Sequence, residues 1–174
     1  MTGQCQNPVT FLNFAYGSNM LARRLRARTP SARCLGNAML DGHELCWHKR
    51  GQDGSGKCDV IATGRAGDRV HGVVYEIALS EKPALDAAEG LGKGYDQQQV
   101  LVEQAGRMLS VQLYVASSID AGLLPFSWYR ALVIAGAQDN GLPSEYLARL
   151  EAVPALPDPD RNRHAMNMAI IADR

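Results

Sequence analysis

Neither sign of charge is in excess: 18 Lys and Arg face 18 Asp and Glu, a formal net charge of zero. No general field therefore draws in nucleic acid or an anionic membrane. Long apolar runs are missing as well, and the stretches present are far shorter than a membrane span. Cysteine is sparse. Cys5, Cys34, Cys46 and Cys58 are widely spaced with no C-x-x-C pair, a pattern that fits reduced thiols in a cytoplasmic protein. The four histidines have no metal-ligand spacing, so no metal site is expected, and His43 and His48 read as members of a partly exposed strand. The stretch from Met1 to Asn7 has neither a basic start nor an apolar core, so it is not expected to act as a secretory signal. There is no internal repeat. At 174 residues the chain has the length of one domain with a proper core.

What is present is a set of strands with helices interspersed. Leu109, Val111, Leu113 and Val115 alternate with Met108, Ser110, Gln112 and Tyr114, the period-two pattern of a half-buried strand. Further strands are predicted at Phe11 to Tyr16, His43 to His48, Asp59 to Thr63, Arg69 to Ala78 and Tyr95 to Glu103. That makes about six, enough for a curled sheet or small barrel. Gln97, Gln98 and Gln99 in one of them imply a face turned to solvent or to a polar cavity. One helix follows Asn19, a good capping residue. A second begins after Ser80, with Pro83 in its first turn, and ends at Gly90. A third runs from Ser127 to Gln138 and stops at Asn140-Gly141, and a short fourth starts at Ser144. Strands and helices do not alternate regularly, so the fold class is α+β. The chain divides into an N-terminal arm, 1–10, a domain, 11–153, and a tail, 154–174, where Pro154, Pro157 and Pro159 interrupt regular structure. The end of that tail is either docked or disordered.

The most informative local feature is Tyr16-Gly17-Ser18-Asn19. A strand that breaks here and turns into a helix leaves backbone N–H groups unpaired, and such groups attract a carboxylate or a developing oxyanion. Ser18 lies outside any G-x-S-x-G elbow, so it supports the backbone or contacts a ligand rather than acting as a nucleophile. A second feature is Glu89, in the last turn before Gly90. The helix dipole and the like charge of Asp86, one turn earlier, both disfavour a carboxylate there. A carboxyl so placed can carry protons near neutrality. A solvated acidic helix end accounts for the same position. The glycines of Gly90-Leu91-Gly92-Lys93-Gly94-Tyr95 lack the context of a dinucleotide loop and fit a turn that lets Glu89 and Tyr95 face one cavity. Gly51 to Cys58 comes within one residue of a phosphate-binding loop. Cys58 replaces the magnesium-binding Ser/Thr, however, and a strand follows instead of a helix, so a loop between two strands is expected. Arg23, Arg24, Arg26 and Arg28 read as a solvated basic face.

These residues, taken in order, are similar to the gamma-glutamylcyclotransferases. The similarity is carried by Phe14-Ala15-Tyr16-Gly17-Ser18-Asn19-Met20, Pro30-Ser31-Ala32, Ile61-Ala62-Thr63, Gly72-Val73-Val74-Tyr75, Leu85-Asp86-Ala87-Ala88-Glu89-Gly90 and Gly136 to Tyr146. It covers residues 11–153 and resembles most the branch acting on gamma-glutamyl amino acids. The resemblance implies a barrel-like α+β fold, no cofactor, a small gamma-glutamyl substrate as partner and a homodimer. It implies Glu89 as the general acid and base. It also implies that Tyr16, Gly17, Ser18, Asn19, Met20 and Leu21 form a substrate-binding loop, with Tyr95 and Tyr129 near the substrate. Tyr129 reads equally well as a core aromatic on a buried helix. The loop from Glu89 to Tyr95 is one residue shorter than in animal members, and the tail after Pro154 does not match. Two other readings stand beside the leading one: a cyclotransferase for another gamma-glutamyl amide or amine, and a non-catalytic module that binds an acidic metabolite.

Overall fold

The apolar run at the start of the chain forms β1 (Thr10–Ala15). In the computed structural model, which describes residues 8–172, β1 pairs antiparallel with β5 (Arg69–Ala78), Ala15 facing Val73. β5 pairs in turn with β2 (Arg33–Asp41). The sheet continues through β6 (Tyr95–Gln104) and β7 (Arg107–Ala116), and a parallel pairing of Asn13 with Gln112 joins β7 back to β1. The result is a closed barrel in the order β1-β5-β2-β6-β7. Two of its joins rest on single residue pairs, Met39 with Glu103 between β2 and β6 and Asn13 with Gln112 between β1 and β7. A separate hairpin, β3 (His43–Arg50) and β4 (Gly56–Ala62), stands outside it. Phe14, Val70, Val73, Tyr75, Ile77, Val102, Val111 and Leu113 are at most 1% exposed and belong to one buried core that lies on both faces of the barrel strands.

The expected count of strands was one short, because β2 was not predicted. Its periodicity is broken by a bulge between Cys34 and Gly36, and only Ala38 and Leu40 among its nine residues are buried. A strand with a bulge and no clean alternation carries little signal. Gln97, Gln98 and Gln99 are all exposed to solvent.

The predicted first helix is a 3-10 turn, Ser18–Met20, followed by the short α1 (Ala22–Arg26). α2 (Lys82–Glu89) has its proline in the first turn and ends at Gly90 in the left-handed conformation, φ 72°. α3 (Ser127–Asp139) is the most buried helix and packs against the 3-10 turn, α4 (Ser144–Glu151) and α5 (Arg161–Ala172). The tail is thus docked. Ser127 N–H donates to Leu156 O at 2.8 Å, and Trp128 Nε1 donates to Asp158 Oδ2 at 2.7 Å. Arg163 grips the same carboxylate through two bonds of 2.6 Å. The prolines only delay the helix; Met168, Ile170 and Ile171 then pack on the main core. Among the described residues no helix is long and apolar enough to cross a membrane.

Candidate active site

A cavity of about 550 Å³ opens where the turn after β1, the end of α2 and the β3–β4 hairpin converge. Tyr16, Gly17, Ser18, Asn19, Glu89, Tyr95 and Tyr129 all line it. Residues 70 positions apart are therefore brought together as the sequence suggested. Met20 and Leu21 do not line it. They are 0% and 1% exposed and belong to the core beneath the turn. Their backbone is held there: Tyr75 Oη donates to Met20 O at 2.8 Å, and Asn140 Nδ2 donates to the same oxygen at 3.0 Å. These two residues shape the loop from below because a turn this tight can present only its first few residues to the cavity.

The turn itself is closed by Met20 N–H to Gly17 O at 3.0 Å. The N–H groups of Ser18 and Asn19 have no acceptor among the described residues, as expected at the start of a helical turn. Asn19 Nδ2 donates to Glu89 Oε1 at 2.7 Å. Arg28 Nη1 donates to the same oxygen at 2.9 Å and to Asn19 Oδ1 at 3.0 Å. Glu89 is thus fastened to the turn through one oxygen, while its Oε2 takes no hydrogen bond from the described residues. Its side chain is 16% exposed. The expectation that Asp86 leaves uncompensated negative charge beside Glu89 is corrected. Asp86 accepts from Lys82 Nζ at 2.7 and 2.8 Å and from Tyr114 Oη at 2.6 Å, and Glu89 has Arg28.

Three tyrosines form the walls. Tyr16 Oη donates to Tyr114 O. Tyr95 Oη donates to Cys58 O at 2.5 Å, and Tyr129 Oη accepts from Cys58 N–H at 3.1 Å. Burial holds all three phenols well above the ordinary tyrosine range, so they stay neutral. Tyr129 is a core aromatic that also lines the cavity: it is 6% exposed and packs edge-on against Trp47 and Trp128. Cys58 is clamped between two tyrosines, and burial pushes its thiol up to about 12. It is not a nucleophile. Iodoacetamide at pH 8 is expected to alkylate the exposed Cys34 and to spare Cys58 in the folded protein, as read by peptide mass spectrometry. Equal labelling of the two would contradict this burial.

Several charged groups of the site escaped the sequence reading. The basic cluster on α1 and the turn after it is not a solvated face throughout. Arg23 pairs with Asp139 at 3.3 Å and Arg26 bonds Ala32 O at 3.0 Å, but Arg24 and Arg28 line the cavity. Arg24 Nε donates to Ser18 Oγ at 3.1 Å and its Nη1 to Asn167 Oδ1 on α5 at 3.2 Å. Burial first, and the Arg28 charge second, pull its guanidinium down to about 10. The four-residue spacing of these two arginines was the available signal, because it puts them on one side of a helical turn. Lys49, Asp53 and Lys57 also line the cavity. The glycine-rich stretch from Gly51 is the loop of the β3–β4 hairpin, as expected. Its Lys57 Nζ is occupied by Asp53 Oδ2 at 2.7 Å and Ser55 Oγ at 2.6 Å. Asp59, 3% exposed, ties this hairpin to the barrel: it bonds His48 Nε2 at 2.8 Å and accepts Ala116 N–H at 2.7 Å. Asn13 lines the cavity with an Oδ1 that has no donor among the described residues.

Fold and site together define a closed-barrel α+β protein with one carboxyl facing an amide-lined turn. A family model described as the AIG2-like family matches residues 69–150. The chain is 34% identical to human gamma-glutamylcyclotransferase over 149 residues, covering 83% of this chain and 79% of that protein. It is 33% identical to the bovine gamma-glutamylcyclotransferase over 153 residues, 85% and 81% of the two chains. A solved gamma-glutamyl cyclotransferase superposes with a TM-score of 0.85 at 29% identity, over 95% of this chain and 100% of that one. The chain belongs to the gamma-glutamylcyclotransferase family.

Proposed function

We propose that this protein converts gamma-glutamyl amino acids into 5-oxoproline and the free amino acid, with Glu89 as the proton carrier. The observation that carries the reading is the state of Glu89. One of its oxygens is fixed by Asn19 and Arg28, and the other is left unbonded in the cavity that the turn also lines. An anchored carboxylate with one free oxygen suits a group that must accept and return protons at fixed positions.

The substrate brings its own nucleophile. Its alpha-nitrogen attacks the gamma-carbonyl carbon, a carbon–nitrogen bond forms within a five-membered ring, and the original amide bond breaks. The alpha-ammonium gives up two protons in all, and the departing nitrogen gains two. Glu89 carries them from the first nitrogen to the second. Holding the substrate folded supplies much of the rate, because effective molarities of oriented internal reactions reach ~10⁵ M or more. The turn from Tyr16 to Asn19 binds the glutamyl end. The free N–H groups of Ser18 and Asn19, with Arg24 against Ser18 Oγ, form a receptor for the alpha-carboxylate. The three neutral tyrosines exclude water and shape the wall.

The test incubates purified protein with gamma-glutamyl-alanine, glutathione and gamma-glutamyl-lysine joined through the lysine ε-nitrogen, and measures 5-oxoproline by mass spectrometry. Turnover of gamma-glutamyl-alanine, with little from the other two, is the expected result. No 5-oxoproline from any of them would overturn the reading.

A further inference from the structure

Most charges around the cavity are already paired. Arg28 is matched by Glu89, Lys57 by Asp53 and Arg50 by Asp120. Three are not: Lys93, exposed at the rim, and two inner cations. Arg24 has only the neutral oxygens of Ser18 and Asn167. Lys49 is 8% exposed, and its Nζ has no hydrogen-bond or ion-pair partner among the described residues. The ammonium lies over the Tyr95 ring, 4.5 Å from the centroid. It is seated so close to Gly94 that a β-carbon there would come within 3.1 Å of Nζ. A side chain at position 94 would press on the end of Lys49. A buried ammonium without an anion is costly in a folded protein, and it is tolerated chiefly where a ligand completes it.

The two inner cations enter from different elements. Arg24 comes from α1 beside the turn, and Lys49 comes from β3 beside Tyr95. The field of the Glu89 carboxylate reaches both and opposes the loss of charge that burial imposes on each. Glu89 thus has one free cation on the turn side and another on the hairpin side. The substrate has the same layout. The nitrogen that attacks sits on a carbon bearing the glutamyl carboxylate, and the nitrogen that departs sits on a carbon bearing the carboxylate of the released amino acid.

We propose that Lys49 receives the alpha-carboxylate of the departing amino acid and so makes the site select gamma-glutamyl amino acids over gamma-glutamyl amines and amides that lack that group. This assignment rests on the cyclotransferase reading. Arg24 takes the other carboxylate. Burial alone holds the Lys49 ammonium below the ordinary lysine range, and a bound carboxylate restores its charge. Glutathione is a poor match, because the carboxyl next to its departing nitrogen is tied up in a peptide bond.

The experiment compares kcat/KM for gamma-glutamyl-alanine, gamma-glutamyl-alaninamide and gamma-glutamyl-ethylamine, in wild type and in Lys49→Met and Lys49→Arg. Losing one charge-assisted hydrogen bond is expected to make the wild type prefer the acid by about 10- to 100-fold. Lys49→Met should bring the three substrates to within about threefold of one another, and Lys49→Arg should retain most of the preference. A wild-type ratio near one overturns the assignment without recourse to any variant. So does a ratio that persists in Lys49→Met while 5-oxoproline still forms. Absence of 5-oxoproline from all three substrates in the wild type instead removes the cyclotransferase reading, and this assignment with it.

Discussion

Glu89→Gln is expected to lower kcat on gamma-glutamyl-alanine by about 10²–10⁴-fold, the range that a positioned acid/base contributes. The replacement has the same shape and can still accept from Asn19 Nδ2 and Arg28 through its amide oxygen, so the anchoring seen in the native protein, at 2.7 and 2.9 Å, has a substitute. What it cannot do is take a proton. KM should therefore move little, because the groups assigned to the glutamyl carboxylate, Ser18, Asn19 and Arg24, are untouched. The Arg28 charge does lose its partner. Both side chains are partly exposed, so water screens the loss and the melting temperature should fall only slightly. Glu89→Asp separates the two contributions. It keeps the acid but withdraws it by one methylene, which breaks the Asn19 and Arg28 contacts or pulls the free oxygen out of reach. A variant Glu89→Gln with wild-type kcat would show that some other group moves the protons.

Much of this geometry was legible in the chain. The alternation from Met108 to Val115 and the apolar residues after Arg69 announced β7 and β5, although both faces of each are buried in the middle of the strand, at Val111 to Tyr114 and Gly72 to Tyr75. Pro83 and Gly90 marked the two ends of α2 through backbone chemistry alone: a ring that tolerates only the first turn, and a left-handed residue that stops the last. Once α2 ended at Glu89 and β1 ended at the turn, a common cavity was a reasonable expectation. The charges inside the cavity were not readable in the same way. Lys49 lies on a strand whose residues are nearly all half-buried, so no alternation says which face each one takes. Arg24 turns inward because α5, far away in sequence, supplies Asn167 on its other side. α5 itself follows three prolines, and its docking depends on a buried carboxylate, Asp158, answering both Trp128 and Arg163. Contacts of that kind depend on tertiary partners, and local patterning does not encode them. Met20 and Leu21 illustrate the converse. They were grouped with the binding loop by their place in a motif, yet they serve it from beneath.

Gly136→Ala is expected to destabilise the protein and to impair catalysis, although Gly136 touches no part of the cavity. It lies on the buried face of α3, where a β-carbon would stand 2.6 Å from Leu21 N and 2.8 Å from both the carbonyl carbon and the β-carbon of Met20. Alanine is the better helix former by about 1 kcal/mol, and that gain opposes the clash. The clash wins here because two of the three atoms met are backbone and cannot rotate away. Overpacking costs about 1–3 kcal/mol, and the rigid neighbours favour the upper end. A net loss of about 2 kcal/mol corresponds to a fall of about 4–8 °C in melting temperature for a chain of this size. The catalytic effect follows from where the strain is relieved. Either α3 retreats, carrying the Tyr129 hydroxyl away from Cys58, or Met20 and Leu21 shift, carrying Asn19 and its bond to Glu89. Displacing a reacting group by about 1 Å can cost 10²-fold in rate. The measurements are calorimetric melting and kcat on gamma-glutamyl-alanine, with Ala135→Gly, which relieves rather than adds bulk on the same helix, as the comparison. Ala135→Gly should lower stability by weakening the helix and leave kcat far less affected. If Gly136→Ala raised the melting temperature instead, α3 could not be packed against the turn as closely as described, and the link from the Gly136 to Asn140 segment to the position of Glu89 would fail.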